Sequence, residues 1–176
     1  MTIDTLKRVL TFLVLCLLQA LVMNRIQLFY CATPLLYVYF VITFPRNYPK
    51  WSVLLWSFFM GVTVDMFANT PGVAAASLTL LGVIQPYLLE LFLPRNAEEN
   101  IPSSAATLGW SNFSTLTSLL VFIYCLTFFS LEAFNFFNWL HWLACIGGST
   151  VLTILIILTL ESIRKRKTTN LKKGNM

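Results

Sequence analysis

Charge is what this chain has least of. Only 11% of its 176 residues are Asp, Glu, Lys or Arg, against 57% hydrophobic, a balance that excludes an ordinary soluble domain. Histidine is nearly absent too. The single His141 has no acidic partner at helical spacing and only one thiol, Cys145, four residues on, which argues against a metal centre or a proton relay built on it. The four cysteines, Cys16, Cys31, Cys125 and Cys145, show no short spacing of the kind a zinc site or redox pair requires. They read as small hydrophobes inside apolar helices. No cofactor motif is present, and only Asp65, Glu132 and His141 are available as ionisable groups that could converge, so no enzyme is expected. Internal repeats and low-complexity segments are also missing.

What remains is long apolar runs. Six are expected to cross a membrane, at 6–23, 28–44, 51–68, 71–93, 113–131 and 138–160, each near the roughly 17–25 residues a helix needs to span the hydrocarbon. A bilayer offers the backbone no water, so these spans should be helices and not an open sheet. The expected fold class is therefore all-α: one polytopic membrane domain over residues 1–163, followed by a basic tail at 164–176. The run behind Lys7 and Arg8 imitates a secretory signal. It ends in Leu21-Val22-Met23-Asn24-Arg25, which lacks the small residues of a cleavage site, and is read as a retained helix.

The few charges are placed unevenly. With six spans, Lys7, Arg8, Arg46, Lys50, Arg95, Arg164, Lys165, Arg166, Lys167, Lys172 and Lys173 share one side, and Arg25 alone lies on the other. Cytoplasmic loops retain Lys and Arg, so both termini are expected in the cytoplasm. Five spans would put one of the basic termini outside.

Asp65 is the principal candidate. It lies within the third span, and a carboxylate at membrane depth costs about 2.5–3.5 kcal/mol on insertion scales, so such an acid points to function by default. Steps of four place Gly61, Asp65 and Asn69 on one face. Gly61 leaves room for another backbone. Two readings stay open: Asp65 pairs with Arg25, or it steadies the turn Asn69-Thr70-Pro71-Gly72. In that turn Thr70 suits a helix N-cap and Pro71 the first helical position.

The fourth span carries small residues, Gly72, Ala75, Ala76, Thr79 and Gly82, at spacings of three and four. They form a close-packing surface, either internal or for a partner subunit. Pro86 should loosen the helix near Gly82. The tail cluster Arg164, Lys165, Arg166 and Lys167 is either a topology anchor or a site for anionic lipid or a protein partner. Membrane position explains this charge, so nucleic-acid binding is not expected.

Several short motifs occur in order: Asn24-Arg25-Ile26, Leu28-Phe29, Ala32-Thr33-Pro34, Tyr37-Val38-Tyr39-Phe40, Gly61 four residues before Asp65, Asn69-Thr70-Pro71-Gly72, Pro86-Tyr87-Leu88-Leu89 and Leu93-Pro94-Arg95. With the six spans and the length, this order resembles the rod shape-determining protein MreD family, over roughly residues 24–109. Members often carry a basic residue before the Pro-Tyr pair, where this chain has Gln85. The resemblance implies a bacterial inner-membrane scaffold or regulator of the cell-elongation complex, with a fold similar to the S-components of energy-coupling-factor transporters. Implied partners are the bitopic protein MreC, the actin-like MreB, the glycosyltransferase RodA and a penicillin-binding transpeptidase, within a shell of membrane lipids. Gly61, Asp65 and Gly72 are the motif residues it singles out. The alternative is a vitamin-type binding component of such a transporter, with its ligand near Arg25, Asp65, Asn69 and Asn135. The alanine pair by which such components dock to their ATPases is missing from the first span.

Overall fold

Pro34 interrupts an otherwise apolar run, and the centre of the protein is built around that interruption. The computed structural model describes residues 2–21, 33–45, 48–93, 108–133 and 139–174. These form six helices and no strand among the described residues: α1 (Thr2–Leu21), α2 (Val38–Ile42), α3 (Lys50–Ala68), α4 (Val73–Phe92), α5 (Trp110–Glu132) and α6 (Trp139–Gly174). Four of them are long and apolar enough to cross a membrane, namely α3, α4, α5 and the Trp142–Arg164 part of α6. The apolar part of α1, Arg8–Gln19, is shorter. The protein is thus an all-helical membrane protein.

The second span departs from the continuous helix expected over 28–44. Within its described part only Val38–Ile42 is α-helical, and residues 33–37 are not. Proline has no N–H to donate and biases the residue before it away from helix. Non-helical backbone at membrane depth persists only when protein groups replace the missing hydrogen bonds. Here α1 and α6 supply them. Gln19 Nε2 donates to the Pro34 carbonyl and its Oε1 accepts from the Leu36 N–H, both at 3.1 Å. Ser149 Oγ accepts from the Thr33 N–H and Thr153 Oγ1 from the Leu35 N–H, again at 3.1 Å. At the other end, Gln85 Nε2 of α4 donates to the Phe44 carbonyl at 3.3 Å.

This segment is the axis of the molecule. Leu35, Leu36, Tyr37, Val38, Phe40, Val41, Ile42 and Phe44 are all buried, which is how an element apolar on every side must sit. Around it, α1 packs on α3, α3 on α4, α4 on α5 and α5 on α6. Tyr37 meets Tyr124 of α5 edge to face, and their hydroxyls are hydrogen-bonded. Outward faces are apolar as well: Leu10, Leu13 and Leu17 on α1, Leu55 and Phe59 on α3, and Leu80, Val83 and Leu91 on α4 are exposed, as a hydrocarbon solvent requires.

Basic residues gather at one end of the bundle. Arg8 lies over the Tyr48 ring at 4.0 Å and the Phe44 ring at 4.9 Å, and Lys50 over Tyr87 at 4.6 Å. Arg164 Nη1 donates to Tyr39 Oη at 3.1 Å, and Tyr39 in turn donates to Glu161 Oε2 at 2.6 Å. Trp51 and Trp110 are exposed at helix starts, as interfacial rings should be. Trp56, by contrast, packs inward on Phe12 and Phe40. Cys16, Cys125 and Cys145 are buried, whereas Cys31 lies outside the described residues.

Gln19 serves two backbone groups of the second span from α1. Replacing it with Leu removes an acceptor and a donor from buried backbone groups, which costs about 1–3 kcal/mol for each group left unmatched. Gln19→Leu is therefore expected to lower the melting temperature in detergent clearly. Gln19→Glu keeps the acceptor for Leu36 and should fall between Leu and wild type. Equal melting of all three proteins would show that the segment does not depend on this side chain.

Candidate functional site

The last turn of α3 must end, reverse and start α4 within a few residues, and one carboxylate organises all three events. Asn69 closes α3 in the left-handed region at φ 58°, with its N–H on the Asp65 carbonyl. Asparagine tolerates that conformation better than most residues. The Thr70 N–H reaches the same carbonyl at 3.3 Å. Gly72 then takes φ 81°, a conformation glycine adopts without penalty, and its carbonyl receives the Ala76 N–H at 3.0 Å.

Below this turn lies the Asp65 side chain, 7% exposed. Its Oδ1 accepts from the Ala74 N–H at 2.9 Å and the Thr70 hydroxyl at 2.8 Å, and its Oδ2 accepts from the Ala75 N–H at 2.9 Å. Ala74 and Ala75 belong to the first turn of α4, whose N–H groups have no partner within their own helix. The negative carboxylate also faces the positive end of the α4 dipole. Asp65 is thus an N-cap supplied from the preceding helix. Thr70, suited to that role by sequence, instead donates its hydroxyl to the carboxylate, because α4 begins later, at Val73, with Gly72 as its N-cap residue.

The carboxylate reaches α4 because Gly61, one turn earlier, lets the two backbones touch. A Cβ on Gly61 would lie 2.3 Å from Ala75 Cα, 2.7 Å from Ala75 N and 2.9 Å from Ala74 C. Further along the seam, a Cβ on Gly82 would stand 2.8 Å from Ser57 Oγ. The Ser57 hydroxyl meanwhile donates to the Val53 carbonyl at 2.8 Å, which keeps a polar group satisfied at the contact.

Gly61, Asp65, Thr70, Ala75 and Gly82 are therefore brought together along one α3–α4 seam. The small-residue stripe splits: Ala75 and Gly82 are internal, Thr79 is half-buried with its hydroxyl on the Ala75 carbonyl, and Gly72 and Ala76 face outward. Asn69 is exposed. Arg25 lies outside the described residues, as does Asn135, and so does the proposed pairing of Arg25 with Asp65. Pro86 does not interrupt α4, which runs unbroken from Val73 to Phe92. The basic tail is helical in its described part, since α6 continues through Arg164, Lys165, Arg166 and Lys167 to Gly174.

Chemically, the arrangement fixes a turn. Gln19, Ser149, Thr153 and Glu161 were not singled out by sequence, although each is a polar residue in or at the edge of an apolar run, the same signal that marked Asp65. Gln85 is the instructive case, because its amide closes the Phe44 end of the second span. Among the described residues no three His, Cys, Asp or Glu side chains gather as metal ligands would. Comparison of the chain with family models, with curated proteins and with solved structures finds no match.

Proposed function

We propose that this protein is a non-enzymatic membrane scaffold of the bacterial cell-elongation complex, supporting lateral peptidoglycan synthesis by holding MreC and wall synthases in place. The observation that carries this reading is the use made of the motif residues. Gly61 and Asp65 lock α4 onto α3, so the features through which the chain resembles the MreD family serve rigidity. A rigid hairpin with exposed Met66 and Phe67 beside its turn suits a protein that works by presenting surfaces. In this reading it sits in the inner membrane with both termini in the cytoplasm, and Arg8, Lys50 and Arg164 mark the cytoplasmic end.

The test is affinity purification of the full chain from its native membrane in mild detergent. Recovery of MreC, RodA or a penicillin-binding transpeptidase is the expected result. Recovery of an ABC-type ATPase pair, with a vitamin bound to the chain, would replace the scaffold by a transport component.

A further inference from the structure

Past Arg164, α6 leaves its apolar stretch Trp142–Arg164 and stays helical to Gly174. Residues 165–174 extend the axis by about 15 Å at 1.5 Å per residue. They include Lys165, Arg166, Lys167, Lys172 and Lys173 and no acidic residue. The root of this extension is fixed. Tyr39 ties Glu161 at 2.6 Å and Arg164 at 3.1 Å to the second span, and Arg164 Nη1 lies 3.9 Å from Glu161 Oε2. No proline interrupts the chain between that anchor and Gly174.

A helix of this composition gains nothing from itself. Like charges at neighbouring helical positions repel, and beyond Lys165, which has Glu161 four residues before it, no acidic residue stands three or four positions away to offset them. Nor can it lie in the membrane interface, which requires an apolar face, because Leu171 is the sole large apolar residue between 165 and 174. Anionic headgroups attract the residues nearest the surface, but that attraction decays over a Debye length of about 8 Å. Lys172 and Lys173 stand about 12 Å or more beyond Arg164 along the helix axis. Headgroups therefore account for the proximal cluster and leave the distal pair unexplained.

We propose that residues 165–174 form a docking rod for a carboxylate-rich face of a water-soluble protein on the basic side of the membrane, with Lys172 and Lys173 as the distal contacts. The rod does not depend on the scaffold role above, and it would serve a transport component equally.

The test uses the full chain in nanodiscs of pure phosphatidylcholine, with a fluorescent polyglutamate peptide as the acidic probe and anisotropy as the readout over a salt series. The peptide is expected to bind, and Lys172→Gln with Lys173→Gln to weaken it about tenfold. Amide exchange across 168–173 should slow when the peptide is present. Binding should persist in discs rich in phosphatidylglycerol. Four results would each overturn the proposal: no binding to wild type, equal binding by the distal double variant, loss of binding once phosphatidylglycerol is added, or tighter binding of an oligothymidylate of equal length. The third assigns the extension to lipid and the fourth to nucleic acid. Recovery of wall-synthesis partners by the full chain is a separate readout, so either idea can fail without the other.

Discussion

Gly61→Ala is expected to destabilise the protein more than any other single methyl addition along the α3–α4 seam. The new Cβ would lie 2.3 Å from Ala75 Cα and 2.7 Å from Ala75 N, and backbone atoms cannot rotate out of the way. Overpacking a tight core costs about 1–3 kcal/mol when neighbours can shift, and here the neighbour is a whole helix turn held by Asp65. The melting temperature in detergent should fall sharply, and Gly61→Leu should not accumulate in the membrane. Two comparisons isolate the cause. Removing the Ala75 side chain as well, with Ala75→Gly, should rescue nothing, because the clash is with Ala75 backbone. Gly82→Ala should be largely rescued by Ser57→Gly, because its nearest obstacle is the Ser57 side chain. Gly147→Ala meets nothing within 4 Å and should leave melting unchanged or raise it slightly, since Ala favours helix over Gly by about 0.5–1 kcal/mol. Wild-type melting of Gly61→Ala would mean that α3 and α4 do not touch there.

Helical class and membrane character follow from composition and run length alone, and the long helices α3, α4 and α5 lie within a few residues of their expected bounds. The reason is that burial in a bilayer demands length and apolarity, both of which are local properties. Asp65 was legible for a similar reason, since an acid within an apolar run stands out without any knowledge of its neighbours. Its partners were not. Ala74 and Ala75 contribute backbone N–H groups, which no side-chain pattern reveals, so of the two open readings the one in which Asp65 steadies the turn was legible only in outline. The broken second span was harder still. Pro34 announces an interruption, but the groups that make it tolerable come from Gln19, Ser149 and Thr153, and the last two lie more than a hundred residues away in sequence. The outward half of the small-residue stripe was equally opaque, because spacing groups Ala75 with Ala76 while only packing separates them.

Asp65→Ala is expected to unfasten α4 at its first turn. Two N–H groups, of Ala74 and Ala75, lose their acceptor in a site with little access to water, and the Thr70 hydroxyl loses its acceptor too. At about 1–3 kcal/mol for each buried donor left unmatched, the two backbone groups alone put the loss at about 2–6 kcal/mol. Asp65→Asn is no conservative exchange. One oxygen can still serve Ala74 and Thr70, but the amide nitrogen would confront the Ala75 N–H, donor against donor. Asn should therefore recover only part of the loss, and Asp65→Glu should do little better, because its added methylene must fit where Gly61 has already brought the helices into contact. The distinguishing measurement is site-resolved amide exchange. In Asp65→Ala the Ala74 and Ala75 amides should exchange much faster, while those in the middle of α4, around Leu81, change only as far as global stability does. If Asp65 acts on function solely by fixing this turn, a second-site change that restores stability elsewhere should restore function to Asp65→Asn. A fully stable Asp65→Asn that still fails would instead assign the carboxylate a contact beyond α4.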